Sequence, residues 1–204
     1  MFITIEGGEG AGKSSMMDRL AGWLEAHGHR VVRTREPGGT VLAEKIRTIL
    51  LDDGHGELSS QAELLLVFAS RAQHLEELIR PALARGDTVL CDRFTDASWA
   101  YQGGGRQMPA DWITALEEMV HGDLQPDLTL LLDLPVEQGL ERASCRGEAD
   151  RFEQESSSFF RRVRQAYLAR AKSSARRFEI IDASGAVDQV WSQIESVLER
   201  RLGQ

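Results

Sequence analysis

The 204-residue chain contains no asparagine and only two cysteines, Cys91 and Cys145. The cysteines form no C-x-x-C pair and suggest no disulfide framework. Cys91 lies in the apolar run Thr88-Val89-Leu90-Cys91, the setting of a small core residue. No apolar stretch approaches the roughly 20 residues that cross a bilayer, and no basic segment precedes a signal-like core. A cytosolic protein without membrane association is expected. Positive charge is also scarce, with 24 Lys and Arg against 32 Asp and Glu and a formal net charge of −8. That balance disfavours a nucleic-acid polymer as partner, because such binding relies on basic faces. It still permits a nucleotide ligand, since a few placed arginines can offset one phosphate chain. Internal repeats, low-complexity tracts and interdomain linkers are missing too. With 42% hydrophobic and 27% charged residues, 1–204 reads as one domain with its own core.

What is present starts with Gly7-Gly8-Glu9-Gly10-Ala11-Gly12-Lys13-Ser14, directly after the apolar run Phe2-Ile3-Thr4-Ile5 and before a helical pattern. This is the strand-to-helix context of a G-x-x-x-x-G-K-[ST] phosphate loop. Glycines let successive N–H groups turn toward one anion, and the helix that follows adds its positive end. Lys13 supplies mobile charge for the outer phosphates, and the Ser14 hydroxyl can ligate Mg²⁺.

Strand-like and helix-like runs then alternate, which predicts a parallel sheet covered by helices. Strands are expected at residues 2–6, from Val31-Val32 to the turn at Arg35–Gly39, and at Thr88–Asp92, Leu128–Leu134 and Glu179–Asp182. Met16, Leu20, Trp23 and Leu24 mark the first helix, with Gly28 as its stop, and Leu42, Ile46, Ile49 and Leu50 mark the next. A long helical stretch from Ser59 should be kinked or interrupted at Pro81 before resuming toward Gly86. Further helices are expected at about 136–145, 155–172 and Val187–Leu202. Chemically suggestive residues fall at the carboxyl ends of strands, where open α/β sheets bind ligands: the phosphate loop, Glu36–Gly39, Asp92-Arg93 and Asp133. Asp92 and Asp133 suit a Mg²⁺ site, and Arg93 can fork onto phosphate oxygens. Charge for solubility is the plainer reading of Asp133. The run Tyr101-Gln102-Gly103-Gly104-Gly105-Arg106 predicts close backbone approach to a ligand or partner, or else a flexible surface loop. Arg142, Arg146 and Arg151 lie in a polar segment that suits a closing lid, or else a solvated loop.

Glu6-Gly7 to Ser15, Thr34-Arg35-Glu36-Pro37-Gly38-Gly39-Thr40, Asp92-Arg93-Phe94 and Tyr101–Arg106 together resemble the bacterial thymidylate kinase family, from the first strand to at least Glu155. The resemblance implies a P-loop NTPase-type three-layer α/β fold with a five-stranded parallel sheet flanked by helices and a short lid at about 142–153. It implies transfer of a phosphoryl group from ATP to dTMP in dTTP synthesis, with Mg²⁺, by a homodimer. Gly7, Gly8, Glu9, Gly10, Ala11, Gly12, Lys13, Ser14 and Ser15 would hold ATP. Glu9 would meet the sugar 3′-hydroxyl of dTMP. Arg93 would clamp the acceptor phosphate, with Glu36 and Pro37 near it and Ser14, Asp92 and Glu36 around the metal. Arg71, helped by Ser98, would read the thymine edge, Tyr101 would crowd the 2′ position, and Gln102 would also belong to the substrate site. Lys13, Arg93, Arg146 and Arg151 would carry the charge of transfer. The family usually places phenylalanine four residues before the base-reading arginine. Here that residue is Val67, and Phe68 is its neighbour, about 100° away on a helix. Phe68 brought round by a local shift is the expected base platform, with Val67 as the plainer alternative. Rival readings are a kinase for another acceptor (dUMP, dCMP or a deoxynucleoside) and a non-enzymatic nucleotide switch. The guanine-reading N-K-x-D motif cannot occur in a chain without asparagine.

Overall fold

Apolar runs of five or six residues are too short for helices of the usual length, and bounded by turn signals they become strands. In the computed structural model, which describes residues 1–52, 58–144 and 151–203, they form one parallel sheet. β1 (Phe2–Gly7) leads through the phosphate loop into α1 (Lys13–Ala26), then β2 (Val31–Arg35), α2 (Val41–Leu51) and α3 (Ser60–His74). A π-helical turn, Leu75–Ile79, joins α3 to α4 (Arg80–Ala84), and β3 (Thr88–Asp92) follows. Next come α5 (Thr95–Ser98), a π-helical segment Trp99–Gly105 and α6 (Ala110–Val120). The chain ends with β4 (Leu128–Asp133), α7 (Val136–Ser144), α8 (Ser157–Ser173), β5 (Phe178–Asp182) and α9 (Val187–Leu202).

The sheet order is β2-β3-β1-β4-β5, the five-stranded parallel arrangement that was expected. Its central strands are buried, as parallel sheets covered on both faces require. One layer of core joins Ile3, Ile5 and Leu130 to Leu20 and Leu24 of α1 and Ile194 of α9. On the sheet's other side, Leu131 meets Phe159, Val163 and Tyr167 of α8, while Phe2 and Val89 meet Leu75 and Ile79. Register brings Ile5 beside Asp92, Asp92 beside Arg35, Gly7 beside Leu132 and Asp133 beside Asp182. The carboxyl ends of all five strands therefore share one edge.

The long α-helix is interrupted just before Pro81, as expected: a π turn accommodates the lost N–H, and α4 resumes to Ala84. Other features differ from expectation. Helices α5 and α6 were not anticipated. Gly103–Gly105 belong to a helical segment, and their close approach is to α8. A Cβ on Gly104 would stand 2.6 Å from Ala166 Cβ and 2.9 Å from the Arg162 carbonyl oxygen. Gly104→Ala should therefore push α8 away and cost about 1–3 kcal/mol, measurable by urea unfolding. An unchanged midpoint would show that the two segments part without penalty.

Candidate active site

The phosphate loop ends at Gly12, whose φ of 85° is left-handed and open to glycine at little strain. Helices α2, α3 and α8 are capped by the side chains of Thr40, Ser59 and Ser156. Helix α1 has no side-chain cap, which leaves its first N–H groups for an anion. Lys13 Nζ donates to the carbonyls of Gly7 (3.2 Å) and Gly8 (3.0 Å), so it lies across the mouth of the loop. Burial, and then the neighbouring Arg93 charge, hold its pKa below the ordinary lysine value. Ser15 lines a cleft with Gly10, Ala11, Gly12 and, from the far side, Ala186 and Val190. Ser14 and Asp92 line a second cavity, with Thr34 and Gly39. Asp92 Oδ1 is buried without a hydrogen-bond partner.

The structure separates Glu36 from that pair. Glu36 accepts from Arg71 Nε (2.7 Å) and bonds His74 Nδ1 (3.0 Å), and it faces the neighbouring pocket. Burial alone would raise its pKa, but Arg71 and His74 hold it below the usual carboxylate range. Its two oxygens are thus committed to Arg71 and His74, outside the cavity lined by Ser14 and Asp92 where the expected metal site would have placed it. Asp133 is likewise taken, by Arg164 through Nε (2.7 Å) and Nη2 (2.9 Å).

Arg93 sits at the tip of β3 with φ 68°, a conformation rare for a side-chain-bearing residue. Its Nη1 donates to the Gly7 carbonyl (2.9 Å) and to Tyr167 Oη (3.2 Å), and its Nη2 to Glu9 Oε1 (2.8 Å). The same Glu9 oxygen accepts from the Tyr101 hydroxyl at 2.7 Å. Behind this cluster is Glu6, fully buried, which accepts from the Phe94 N–H and the Tyr167 hydroxyl, both at 2.7 Å. Burial first, and Asp96 second, raise its pKa to about 8. Sequence reasoning did not place Glu6 or Tyr167 in the site. A glutamate within an apolar strand was an available signal for the first. Tyr167 reaches the site from α8 and carried no local signal.

Glu9 and Arg93 also line a pocket beside the loop, together with Glu36, Pro37, Tyr101 and Gln102. Two of its polar lining groups are unspent: Arg71 Nη1 and Ser98 Oγ are buried without partners. The rest of Arg71 is fixed by Glu36 and by the Phe94 carbonyl (3.1 Å). Arg47 lines this pocket too, donating to the Pro37 carbonyl at 2.9 Å, and was not foreseen. The expected Phe68 platform is corrected. Val67 lines the pocket, whereas Phe68 packs with Leu64 and Ile113 and under the Arg71 guanidinium, 4.6 Å from its ring centroid. The helix is regular here, so adjacent residues keep their separation around the axis. Arg151 is corrected as well. It donates to Glu63 Oε2 (2.6 Å) and the Leu50 carbonyl (2.9 Å), which holds it beside the pocket wall instead of over the phosphate loop. Arg146 lies outside the described residues.

The direction of the Glu6 shift fixes a pH effect. A carboxyl with a raised folded-state pKa contributes its full stability below the ordinary value of 4.5 and loses it as pH rises through about 8. Measured by urea unfolding, wild-type stability relative to Glu6→Gln should fall by at least roughly 1 kcal/mol between pH 5 and 8.5. Parallel curves for the two proteins would mean that Glu6 is ionised throughout.

A model of the thymidylate kinase family matches residues 5–194. The thymidylate kinase of Pseudomonas putida (strain F1) is 58% identical over 198 residues, covering 97% of this chain and 94% of that protein. That of Pseudomonas syringae pv. tomato is 57% identical over 202 residues, covering 99% and 96%. The crystal structure of thymidylate kinase from Ehrlichia chaffeensis superposes with a TM-score of 0.80 at 32% identity, covering 97% of this chain and 98% of that one.

Proposed function

The chain belongs to the thymidylate kinase family, and we infer from this that it transfers the γ-phosphoryl group of ATP to the 5′-phosphate of dTMP, giving dTDP and ADP. One geometric observation carries the site assignment. The Arg93 guanidinium is bonded to the phosphate loop at Gly7 and Glu9 and at the same time lines the adjoining pocket. It joins a donor side to an acceptor side.

Phosphoryl transfer of this kind needs positioning and charge neutralisation more than covalent help from the protein. The acceptor phosphate is already ionised, so no strong base is required. On this reading the uncapped start of α1 and the Gly7–Ser15 loop hold the ATP phosphates. Lys13 swings from the Gly7 and Gly8 carbonyls onto them, and Arg93 holds the dTMP phosphate in line. Arg71 Nη1 and Ser98 Oγ, unpaired and buried, meet the polar edge of thymine, with Gln102 beside them. Glu9 takes the sugar 3′-hydroxyl, and Tyr101 closes the space at the 2′ carbon. Arg146 remains the cation of a lid at about 142–153. One domain, 1–204, accounts for all these parts.

Ser14 and Asp92 fit Mg²⁺, since Asp92 has an unspent buried oxygen and the two share a cavity. Among the described residues no group of three or more His, Cys, Asp or Glu could hold a metal, but Mg²⁺ beside phosphates commonly takes only one or two protein ligands. When bound, it supplies charge neutralisation across the transferring phosphates.

Val41, Leu42 and Ile49 of α2, Leu65 of α3 and Trp112 and Met119 of α6 are exposed large apolar residues. Their helices pack on one another in the order α2, α3, α6, which supports a homodimer formed on this side. Among the described residues no helix is long and apolar enough to cross a membrane. Cytosolic residence belongs to the same reading.

The direct test is ADP release by purified protein with ATP, Mg²⁺ and each deoxynucleoside monophosphate in turn. dTMP should be the best acceptor, and preference for another would overturn the substrate assignment. Lys13→Ala should lower kcat by about 10²–10³-fold, whereas Arg93→Ala should mainly reduce kcat/KM for dTMP by a similar factor. Unaltered dTMP dependence in Arg93→Ala would remove its acceptor role. In light scattering, wild type should have twice the chain mass and Leu65→Asp a smaller one. A monomeric wild type would end the dimer proposal.

A further inference from the structure

An acceptor pocket with unpaired polar groups for a base edge still needs a surface for the flat face of the ring. Among its lining residues, Val67 offers no π surface, and Tyr101 is committed to Glu9 and stands over Arg93, 4.8 Å from ring centroid to guanidinium. Phe94 is wholly buried, its ring packed on Phe2 and near His121. Phe152 remains. It lines the pocket edge-on to Tyr101, with ring centroids 6.0 Å apart.

Phe152 is held by two cations. The Arg151 guanidinium lies 4.6 Å and that of Arg106 5.8 Å from its ring centroid. Both arginines converge on one wholly buried carboxylate, Glu63, with Arg151 Nη2 at 2.6 Å and Arg106 Nη2 at 3.0 Å. Arg106 is also paired with Glu155. Glu63 accepts Gln102 Nε2 at 2.9 Å as well, and Gln102 lines the same pocket. A buried acid that binds three donor residues from two segments, Gln102 and Arg106 on one and Arg151 on the other, has no role in charge transfer to phosphate. Its geometric effect is to fix the Phe152 ring and the Gln102 amide relative to each other.

We propose that Phe152 is the aromatic wall for the base of the acceptor nucleotide, replacing the ring absent at position 67, and that Glu63 is the positioning residue that holds it there. This rests on the dTMP kinase reading above. It also gives Arg151 a definite role, which is to neutralise Glu63 and brace Phe152. The ring belongs to the acceptor side alone, because it lines no part of the phosphate-loop cleft or the Ser14 cavity.

The experiment is steady-state kinetics at saturating ATP with dTMP varied, on wild type, Phe152→Leu and Phe152→Tyr. Stacking of a base on an aromatic ring is strong enough that its loss should raise KM for dTMP roughly tenfold in Phe152→Leu. kcat and KM for ATP should move far less. Phe152→Tyr keeps a ring and should stay within about twofold of wild type. A merely structural residue would not separate leucine from tyrosine in this way, and thermal melting of both variants checks that they are folded. In a Glu63→Gln background the leucine effect should shrink, since the ring is already loose. Full additivity would overturn the positioning role of Glu63. An unchanged KM for dTMP in Phe152→Leu, or equal losses in leucine and tyrosine variants, would overturn the wall itself. If wild type does not phosphorylate dTMP at all, the functional reading fails first and this inference falls with it. Normal wild-type activity with indifferent variants sinks the inference alone.

Discussion

The Arg93 guanidinium is the contact on which the rest of the site depends. Glu9 and Asp92 both act on it from the ends of β1 and β3, and two carboxylates in so buried a place would repel each other without a cation beside them. Arg93 gives Glu9 a direct partner and reaches Glu6 through Tyr167. It also takes the Gly7 carbonyl, so the side chain that balances the acids fixes the first turn of the phosphate loop. The left-handed backbone at Arg93 costs about 1 kcal/mol or more, and these bonds over-determine it. Strain of that kind fits a side chain that must face two pockets at once.

The second constraint is helical register. There are two π-helical stretches: Leu75–Ile79, packed on the sheet, and Trp99–Gly105, beside the acceptor pocket. The first lets the chain pass Pro81 and bury Leu75 and Ile79 against the sheet. The second carries Tyr101 and Gln102, and its glycines admit α8 to backbone distance. That approach brings Tyr167 of α8 into the cluster with Tyr101, with ring centroids 6.3 Å apart. The glycine-rich run thus shapes the site indirectly: it sets the distance between two helices that deliver tyrosine hydroxyls to neighbouring carboxylates, Tyr101 to Glu9 of the loop and Tyr167 to Glu6 of β1.

The parts legible in the sequence were those with a strong local pattern. The phosphate loop needs glycine at fixed places and announces itself, and the alternation of apolar strands with amphipathic helices defined the five-stranded sheet before its order was known. The residue types around Arg71, Arg93 and Ser98 were legible through family resemblance. What could not be read were pairings set by tertiary approach. Glu36 has the composition of a metal ligand, yet Arg71 and His74, both on α3, claim it. Arg151 has the composition of a lid cation, yet it answers a glutamate 88 positions earlier. Phe68 was assigned by analogy of residue type, whereas helix geometry turns Val67 to the pocket and Phe68 to the core. In each case the residue's chemistry was evident, and its partner was the missing information.

The choice of cation explains how an acidic chain assembles a site for anions. Of its 24 basic residues only Lys13, Lys45 and Lys172 are lysine, so nearly all positive charge is carried on planar, multi-donor guanidinium groups. Buried acids take these groups in pairs or clusters: Asp96 holds Arg170 and Arg177, Glu63 holds Arg106 and Arg151, and Glu36 holds Arg71. Buried pairs of this kind add little stability compared with apolar packing, because desolvation offsets much of their attraction. Their directional bonds do set where the remaining donors point. Arg71 shows the result: Nε and Nη2 are spent on Glu36 and a backbone carbonyl, which leaves Nη1 aimed by elimination at the pocket. A lysine in its place would have no rigid fork through which two bonds could orient a third. The mobile ammonium is kept where motion is required, at Lys13, whose resting contacts are two loop carbonyls that it must leave to reach phosphate. Fixed guanidinium for recognition and movable ammonium for transfer is therefore a division of labour written into the composition of the chain.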